Sequence, residues 1–441
     1  MGVDVDEPLS PSLLEKVSYL GVLLKSFPQG SLASDKLLEF VLGSKRIERV
    51  TERIGRERVA QREAEVLAHQ KRTLMEKIAG PKDVTPPSCG AVMCDGGRHQ
   101  RVERNEDSKT HWYEYKAGLC LTVAGQAGNQ DPCPEVPEFL LNQEQVATLT
   151  REIGQTAAAV PEAGMANATA DPAGVSLSAA TDAQGLEALL TTAAQTAPPA
   201  TSRARGLPLS PHVLQRDVVA TLGNSREFGR MLATRAWSLG LFPATRKAFV
   251  ADGLNGNWSL FEQHFPPFGF VPILDLIHAV TYVYAAATAG RPLRESWPIY
   301  RRWITWVWSG EVSQVIAELA ARQAELGLPT EAESDTSPRR IVCDALTYLQ
   351  NQQSRRNYPE YRRRGLPLTS SHMESTIKEL NQRLKGSEKF WSQPGGEAVV
   401  QLKADTLCDS NPLSHFWADR QQTRTGFYSN VRRRNPLAHA V

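Results

Sequence analysis

A long acidic interruption governs how this chain can fold. Residues 126–205 consist mainly of Ala, Thr, Gln, Gly and Pro, with a stretch reading GQTAAAVPEAGMANATADPAGVSLSAATDAQG. Too few large apolar side chains are present to offset the entropy of ordering the backbone, so the segment reads as a low-complexity, partly disordered insertion. A core must therefore be assembled from two blocks remote in sequence. The interruption also separates charge: residues 130–200 hold nine acidic side chains and one basic one, Arg151, in a chain whose net charge is +2. What lies outside it is consequently basic. The excess is concentrated at 44–72, with nine basic residues against five acidic, and at 339–391, with eleven against five.

Composition narrows the class. A chain of 441 residues, 41% hydrophobic and 22% charged, has room for two or three domains and is neither collagen-like nor wholly disordered. Six cysteines (Cys89, Cys94, Cys120, Cys133, Cys343 and Cys408) include no Cys-x-x-Cys pair, so spacing supports neither a zinc ribbon nor a disulfide framework. Reduced thiols in a cytoplasmic protein are expected. The acidic start lacks an apolar signal region, and the longest apolar stretch, 270–290, is broken by Asp275 and His278, so no membrane association is expected.

Residues 1–80 read as a helical domain: Ile47, Val50 and Ile54 recur at helical spacing after a turn at Gly43-Ser44. Its Arg-studded second helix suits a helix-turn-helix reader, or equally a helical pair with a solvated charged face. Strands follow at 89–102 and 110–125, the first part of a core spanning 85–125. Beyond the insertion, 206–275 supplies the second part: a helical pattern over 211–241, a strand at 247–253, a helix at NWSLFEQHF and a strand at 270–275. Residues 276–353 read as all-helical, broken at Pro292 and at 328–337. Residues 354–420 give a basic turn, a helix over 372–386 and an irregular stretch, and 421–441 is a basic tail. The order predicts a mixed α/β core with an all-helical insertion before its last helix.

Three carboxylates stand at the ends of core elements. Asp95 and Asp252 each follow an apolar run and precede a glycine, which is the place where open α/β sheets bind ligands, although either is also an ordinary Asp-Gly turn. Glu374 opens the 372–386 helix, and its face continues through Lys378, Asn381 and Lys385. An exposed Glu374–Lys378 salt bridge is the plain alternative. Carboxylate oxygens suit hard divalent cations, and two such ions can clamp the attacking and leaving oxygens of a phosphodiester. Separated by 157 and 122 residues, the three acids can do this only if folding gathers them.

Four blocks, MCDGGRHQ at 93–100, FVADG at 249–253, LDLIH at 274–278 and RRRGLPLTSSHMESTIKELNQRLKGSEKFW at 362–391, resemble the successive motifs of bacterial insertion-sequence transposases of the Kra group. The resemblance covers about 85–125 and 210–420. It implies a ribonuclease H-like catalytic domain with an Asp-Asp-Glu triad, matched here by Asp95, Asp252 and Glu374 and using two Mg²⁺ (or Mn²⁺) ions. It implies that 276–353 is the helical insertion such enzymes carry before the third acid. Asp275 and His278 match a D-x-x-H element expected near the active site, where His278 would otherwise be a satisfied core histidine. Double-stranded DNA is the implied partner, held by Arg362, Arg363, Arg364, Lys378, Arg383 and Lys385. The expected setting is the bacterial cytoplasm at the nucleoid, with a homo-oligomer assembled on DNA. The stretch before Glu374, Thr369-Ser370-Ser371-His372-Met373, has less glycine than relatives show.

Weaker features remain. Trp303 and Trp306 share a helix face beside Arg301 and Arg302 and suit core packing better than contact with a flipped base, while Trp308 lies two residues on. Arg432, Arg433 and Arg434 suit either phosphate contacts or a solvated tail. Two other readings stay open: a structure-specific nuclease of the same fold, and a decayed or domesticated copy that binds DNA without cutting it.

Overall fold

The computed structural model describes residues 9–38, 41–106, 108–158 and 211–421. At its centre lies a six-stranded mixed sheet: β1 (Cys89–Arg101), β2 (Trp112–Ala124), β3 (His212–Thr221), β4 (Arg246–Ala251), β5 (Val271–Leu274) and the two-residue β6 (Phe390–Trp391). The order is β3-β2-β1-β4-β5, with β6 pairing to the far end of β1. β1, β2 and β3 form an antiparallel meander, whereas β4 and β5 run parallel to β1.

Strand alternation sends the side chains of β1 into two layers. Cys89, Ala91 and Met93 enter the larger core, and Val92 and Cys94 enter a smaller one with Phe249, Trp258 and Phe261. The smaller core is closed by α6 (Ser225–Ser238) and α7 (Asn255–His264). The larger lies under α1 (Pro11–Leu23), α3 (Ser44–Gln70), α13 (Ser371–Leu384) and α14 (Gln393–Asp405). Remaining helices are α2 (Phe27–Leu38), α4 (Leu74–Ala79), α5 (Gln143–Ala158), α8 (Leu276–Thr288), α9 (Leu293–Trp308), α10 (Val312–Leu326), α11 (Pro338–Asn351) and α12 (Tyr358–Arg363). Thus 276–353 is helical as expected, with breaks at Pro292 and 328–337 and a further one at Ser309–Glu311.

Two sequence expectations need correction, and a third is refined. The run HVLQRDVVAT is strand β3, not helix: its consecutive polar Gln215, Arg216 and Asp217 break a strand's alternation, yet Asp217 is buried, accepting from Ser410 and pairing with Arg235 at 3.4 Å. The segment expected to be a partly disordered insertion begins with ordered structure that belongs to the core. Leu140 and Val146 are buried in the larger core, and the Cys133 carbonyl accepts from Trp308 Nε1 at 2.9 Å. The Ala-rich remainder, 159–210, lies outside the described residues, as does Arg432–Arg434. The stretch after 386 is not irregular, since β6 and α14 follow. Gly396 within α14 is a packing requirement, because a Cβ there would lie 2.6 Å from Leu222.

The N-terminal helices belong to the same core. Gly55 of α3 lies so close to Ala398 of α14 that a Cβ would sit 2.4 Å from its carbonyl oxygen. Arg58, further along α3, is 1% exposed and binds Asp405 of α14 through Nε at 2.9 Å and Nη2 at 3.3 Å. Trp303 and Trp308 are core residues, as the sequence favoured, and Trp306 is half-buried.

Candidate active site

Strand parity puts two of the three acids on one face. Asp95 continues the Ala91–Met93 side of β1, and Asp252 continues the Ala248–Val250 side of β4; both sides face the larger core. The parallel register pairs Met93 with Val250. The paired ladder ends there, and Asp95 and Asp252 each lie two residues further along their chains. Asp95 is not at a strand terminus, as the glycines after it imply, because β1 runs on to Arg101 along β2. It stands instead where β1 loses β4 as a partner. Helix α13 crosses this face of β1, burying Met373, Ile377 and Leu380; Glu374 on it is half-buried, and its charge adds to the rise of the Asp95 pKa.

Burial first, then the Asp252 carboxylate, and further down the Glu374 carboxylate, push the Asp95 pKa up to about 7, against relief from the Gly96 amide and His278. A shift of that kind reflects a carboxyl group taken out of water beside another acid, with too few donors to offset both. Asp252 is also raised, by burial, while His278, the Leu254 amide and the Asn257 side chain oppose the rise. Asn257 Nδ2 donates to Asp252 Oδ1 at 2.8 Å and the Leu254 amide to the same oxygen at 3.2 Å. His278 is penalised by burial, yet Asp275, Asp252 and Asp95 outweigh that and hold its pKa up at about 9. Those charges favour its imidazolium form, and its Nδ1 lies 3.6 Å from Asp275 Oδ1.

The glycines beside the acids serve neighbours within the protein. A Cβ on Gly97 would lie 2.2 Å from the Tyr115 ring, and one on Gly253 2.0 Å from the ring of Tyr348. Tyr348, from α11 of the helical insertion, stacks on Tyr282 of α8 with ring centroids 3.8 Å apart. Gln352 Nε2 donates to the Gly253 carbonyl at 3.2 Å. The insertion thus packs directly on the turn that carries Asp252.

The expected basic contacts divide. Arg362 and Arg383 are 5% and 2% exposed and cannot reach a phosphate backbone as they stand, which corrects the expectation. Arg362 lies 4.0 Å over the Trp308 ring, pairs with Asp131 and donates to the Trp308 carbonyl. Arg383 donates to the Gly21 carbonyl at 2.7 Å between Phe27 and Trp391, and burial lowers its pKa to about 10. Arg363 is held by Glu360 and half-exposed, and Arg364 is half-buried. Lys378 and Lys385 are exposed along α13 on the stripe that begins at Glu374, and Lys385 lies 5.8 Å from the Trp112 ring centroid. Asn381, within that stripe, accepts from Tyr115 Oη at 2.9 Å.

Asn257 and Ser370 escaped sequence reasoning. An Asn five residues after an Asp carries no distinctive signal, and Ser370 reads as an ordinary residue ahead of a helix. Among the described residues, no three His, Cys, Asp or Glu side chains already form a ready-made metal site. The donor set nevertheless fits a hard divalent cation, being carboxylate oxygens whose charge is under-compensated. A separate cavity between α3, α6 and β3, of about 460 Å³, is lined by Arg58, Arg62, His69 and Arg235 and shares no lining residue with the acids. Among the described residues no helix is long and apolar enough to cross a membrane. No protein-family model matches this sequence, and no curated protein matches it significantly.

Proposed function

We propose that this protein is a DNA transposase with a ribonuclease H-like catalytic domain and an Asp95, Asp252, Glu374 triad. The observation that supports the reading is the strand parity that turns Asp95 and Asp252 to one sheet face, with the Glu374 charge also acting on Asp95, although the three acids lie 157 and 122 residues apart in sequence. Strand order β3-β2-β1-β4-β5, antiparallel over the first three strands and parallel over the last two, supports the fold assignment. A helical insertion between β5 and the helix of the third acid supports it further.

Asp95, Asp252 and Glu374 would hold two Mg²⁺ ions, or Mn²⁺, which when bound supply an activated water or DNA 3′-hydroxyl and stabilise the leaving oxygen. Asn257 orients the Asp252 carboxylate through its 2.8 Å bond. His278, protonated near neutrality, offsets part of the acids' mutual repulsion. Lys378 and Lys385 hold phosphates next to Glu374, and the α2–α3 region reads the terminal repeats. Two ends acting together require a homo-oligomer on double-stranded DNA, in the bacterial cytoplasm at the nucleoid.

The test is nicking of supercoiled plasmid with Mg²⁺ or Mn²⁺ by the wild type and by Asp95→Ala, Asp252→Ala and Glu374→Ala. Loss of nicking in each variant with DNA binding retained is the expected result. A cutting Asp252→Ala protein defeats the assignment. Joining of a pre-cleaved 3′ end to plasmid separates a transposase from a nuclease of the same fold, and a metal-independent binder does neither.

A further inference from the structure

The helical insertion poses a mechanical problem. Asp252 precedes it and Glu374 follows it, so the chain leaves the sheet at Leu276 and returns some ninety residues later. Positional error accumulated over that excursion would fall on the third acid. The return is pinned at one buried residue.

Asp275 is 2% exposed and stands at the junction of three elements. Its amide donates to the carbonyl of Ala251, the residue before Asp252, at 2.9 Å. One carboxylate oxygen, Oδ1, caps α8 by accepting from the amides of Ile277 at 2.7 Å and His278 at 3.1 Å. The other, Oδ2, accepts from the amide of Ser370 at 2.5 Å and from its hydroxyl at 2.6 Å. Ser370 is the N-cap of α13, and its own carbonyl accepts from the Met373 amide in the first turn, one residue before Glu374. Next to this clamp, the Leu276 amide donates to the Leu368 carbonyl at 3.0 Å, closing the neck of the insertion. A fully buried carboxylate with donors on both oxygens is strongly oriented, because any displacement leaves a charge and several amides unsatisfied.

We propose that Asp275 and Ser370 are positioning residues that fix the distance between Asp252 and Glu374 by clamping the start of α13 to the strand pair β4–β5. The inference rests on the reading of those acids as a metal-holding pair. Its consequence is that the insertion above the neck varies without moving the third acid, while the clamp itself tolerates little change. Ser370 acts through Glu374 and does not touch substrate.

The experiment uses the full-length protein and two readouts. Hydrogen exchange at the amides of Ser370–Glu374 reports the clamp directly. The Mn²⁺ concentration giving half-maximal plasmid nicking, measured at saturating DNA, reports the geometry of the acids in the folded molecules. Ser370→Ala keeps the backbone bond and removes the hydroxyl one; it is expected to speed exchange at those amides and to raise the Mn²⁺ midpoint at least about tenfold, the usual effect of removing a supporting hydrogen bond. DNA affinity is expected to stay unchanged, and Ser370→Thr, which restores the hydroxyl, is expected to rescue both readouts. Asp275→Asn places an NH₂ group against one pair of donors and is expected to show the larger change. If it fails to fold, Ser370→Ala still decides the matter. Wild-type exchange and a wild-type Mn²⁺ midpoint in Ser370→Ala overturn the clamp. A wild type that does not nick DNA overturns the proposed activity instead, while the exchange measurement continues to decide the clamp.

Discussion

Two buried carboxylates in this molecule are treated in opposite ways. Asp405, the last residue of α14, is bound by Arg58 through two nitrogens and by Gln401 Nε2 at 2.9 Å. Asp95, on β1, accepts from the amide of its own neighbour Gly96 and faces two further acids. The first arrangement joins α3 to α14 and is satisfied within the protein. The second leaves charge uncompensated, and its pKa near 7 records the deficit. Buried charge with its partners in place reads as structure, whereas buried charge short of partners reads as a site awaiting a cation or a proton.

The largest expected effect tests the satisfied side. Arg58→Ala strands Asp405 in the core and should destabilise the protein by about 3–5 kcal/mol in urea unfolding. Replacing both members by apolar residues should restore much of that loss; a single variant costing under about 1 kcal/mol would erase the contrast.

On the acid side the sign reverses. Asp95 has a folded pKa of about 7 against 3.8 as its ordinary value, so the folded state retains a proton that the unfolded chain gives up. Its ionisation therefore costs stability progressively as pH rises from about 4 to 7. Asp95→Asn should stabilise the metal-free protein at pH 8, by about 1–3 kcal/mol after allowing for partial exposure, while abolishing cleavage. Denaturant midpoints in chelator at pH 5 and pH 8 check it, the gain being confined to the higher pH. Addition of Mn²⁺ should raise the wild-type melting temperature and leave that of Asp95→Asn little changed.

His278 moves in a third way. With a folded pKa of about 9 above its ordinary 6.5, it contributes stability fully below pH 6.5 and loses it as pH rises through 9. His278→Gln should flatten that alkaline decline, worth about 1–2 kcal/mol between pH 6.5 and 9.5. The smallest expected effect on stability belongs to the exposed cations. Lys378→Ala should change stability by less than about 0.5 kcal/mol, yet lower DNA affinity and reduce the slope of log K against log salt by about 0.9. An unchanged salt slope would remove Lys378 from the interface.

Much of this was legible from residue order. β1, β2, β4 and β5 announce themselves as apolar runs, and the helical insertion by its length and period. β3 did not, because Asp217 interrupts its apolar pattern and is made tolerable only by Ser410 and Arg235, nearly two hundred and eighteen residues away respectively. α14 was hidden by Pro394, Gly395 and Gly396, which disfavour helix locally but let it approach β3 and α3 closely. Arg362 and Arg383 sit in runs that look like phosphate binders; only the aromatic plates of Trp308, Phe27 and Trp391 reveal them as core residues.

The sequence by itself determined the alternation along β1 and along β4, and the 3.6-residue period that aligns Glu374 with Lys378 and Lys385; the register that turns Asp95 and Asp252 to one face came from the fold. The alternation and the period are local consequences of backbone geometry and need no knowledge of the rest of the chain. Tertiary structure alone decided which charges would be satisfied. Whether an arginine meets a carboxylate, a ring or water depends on partners brought in from far along the chain, and so does the meeting of Asp275 with Ser370 at the start of the helix that carries Glu374.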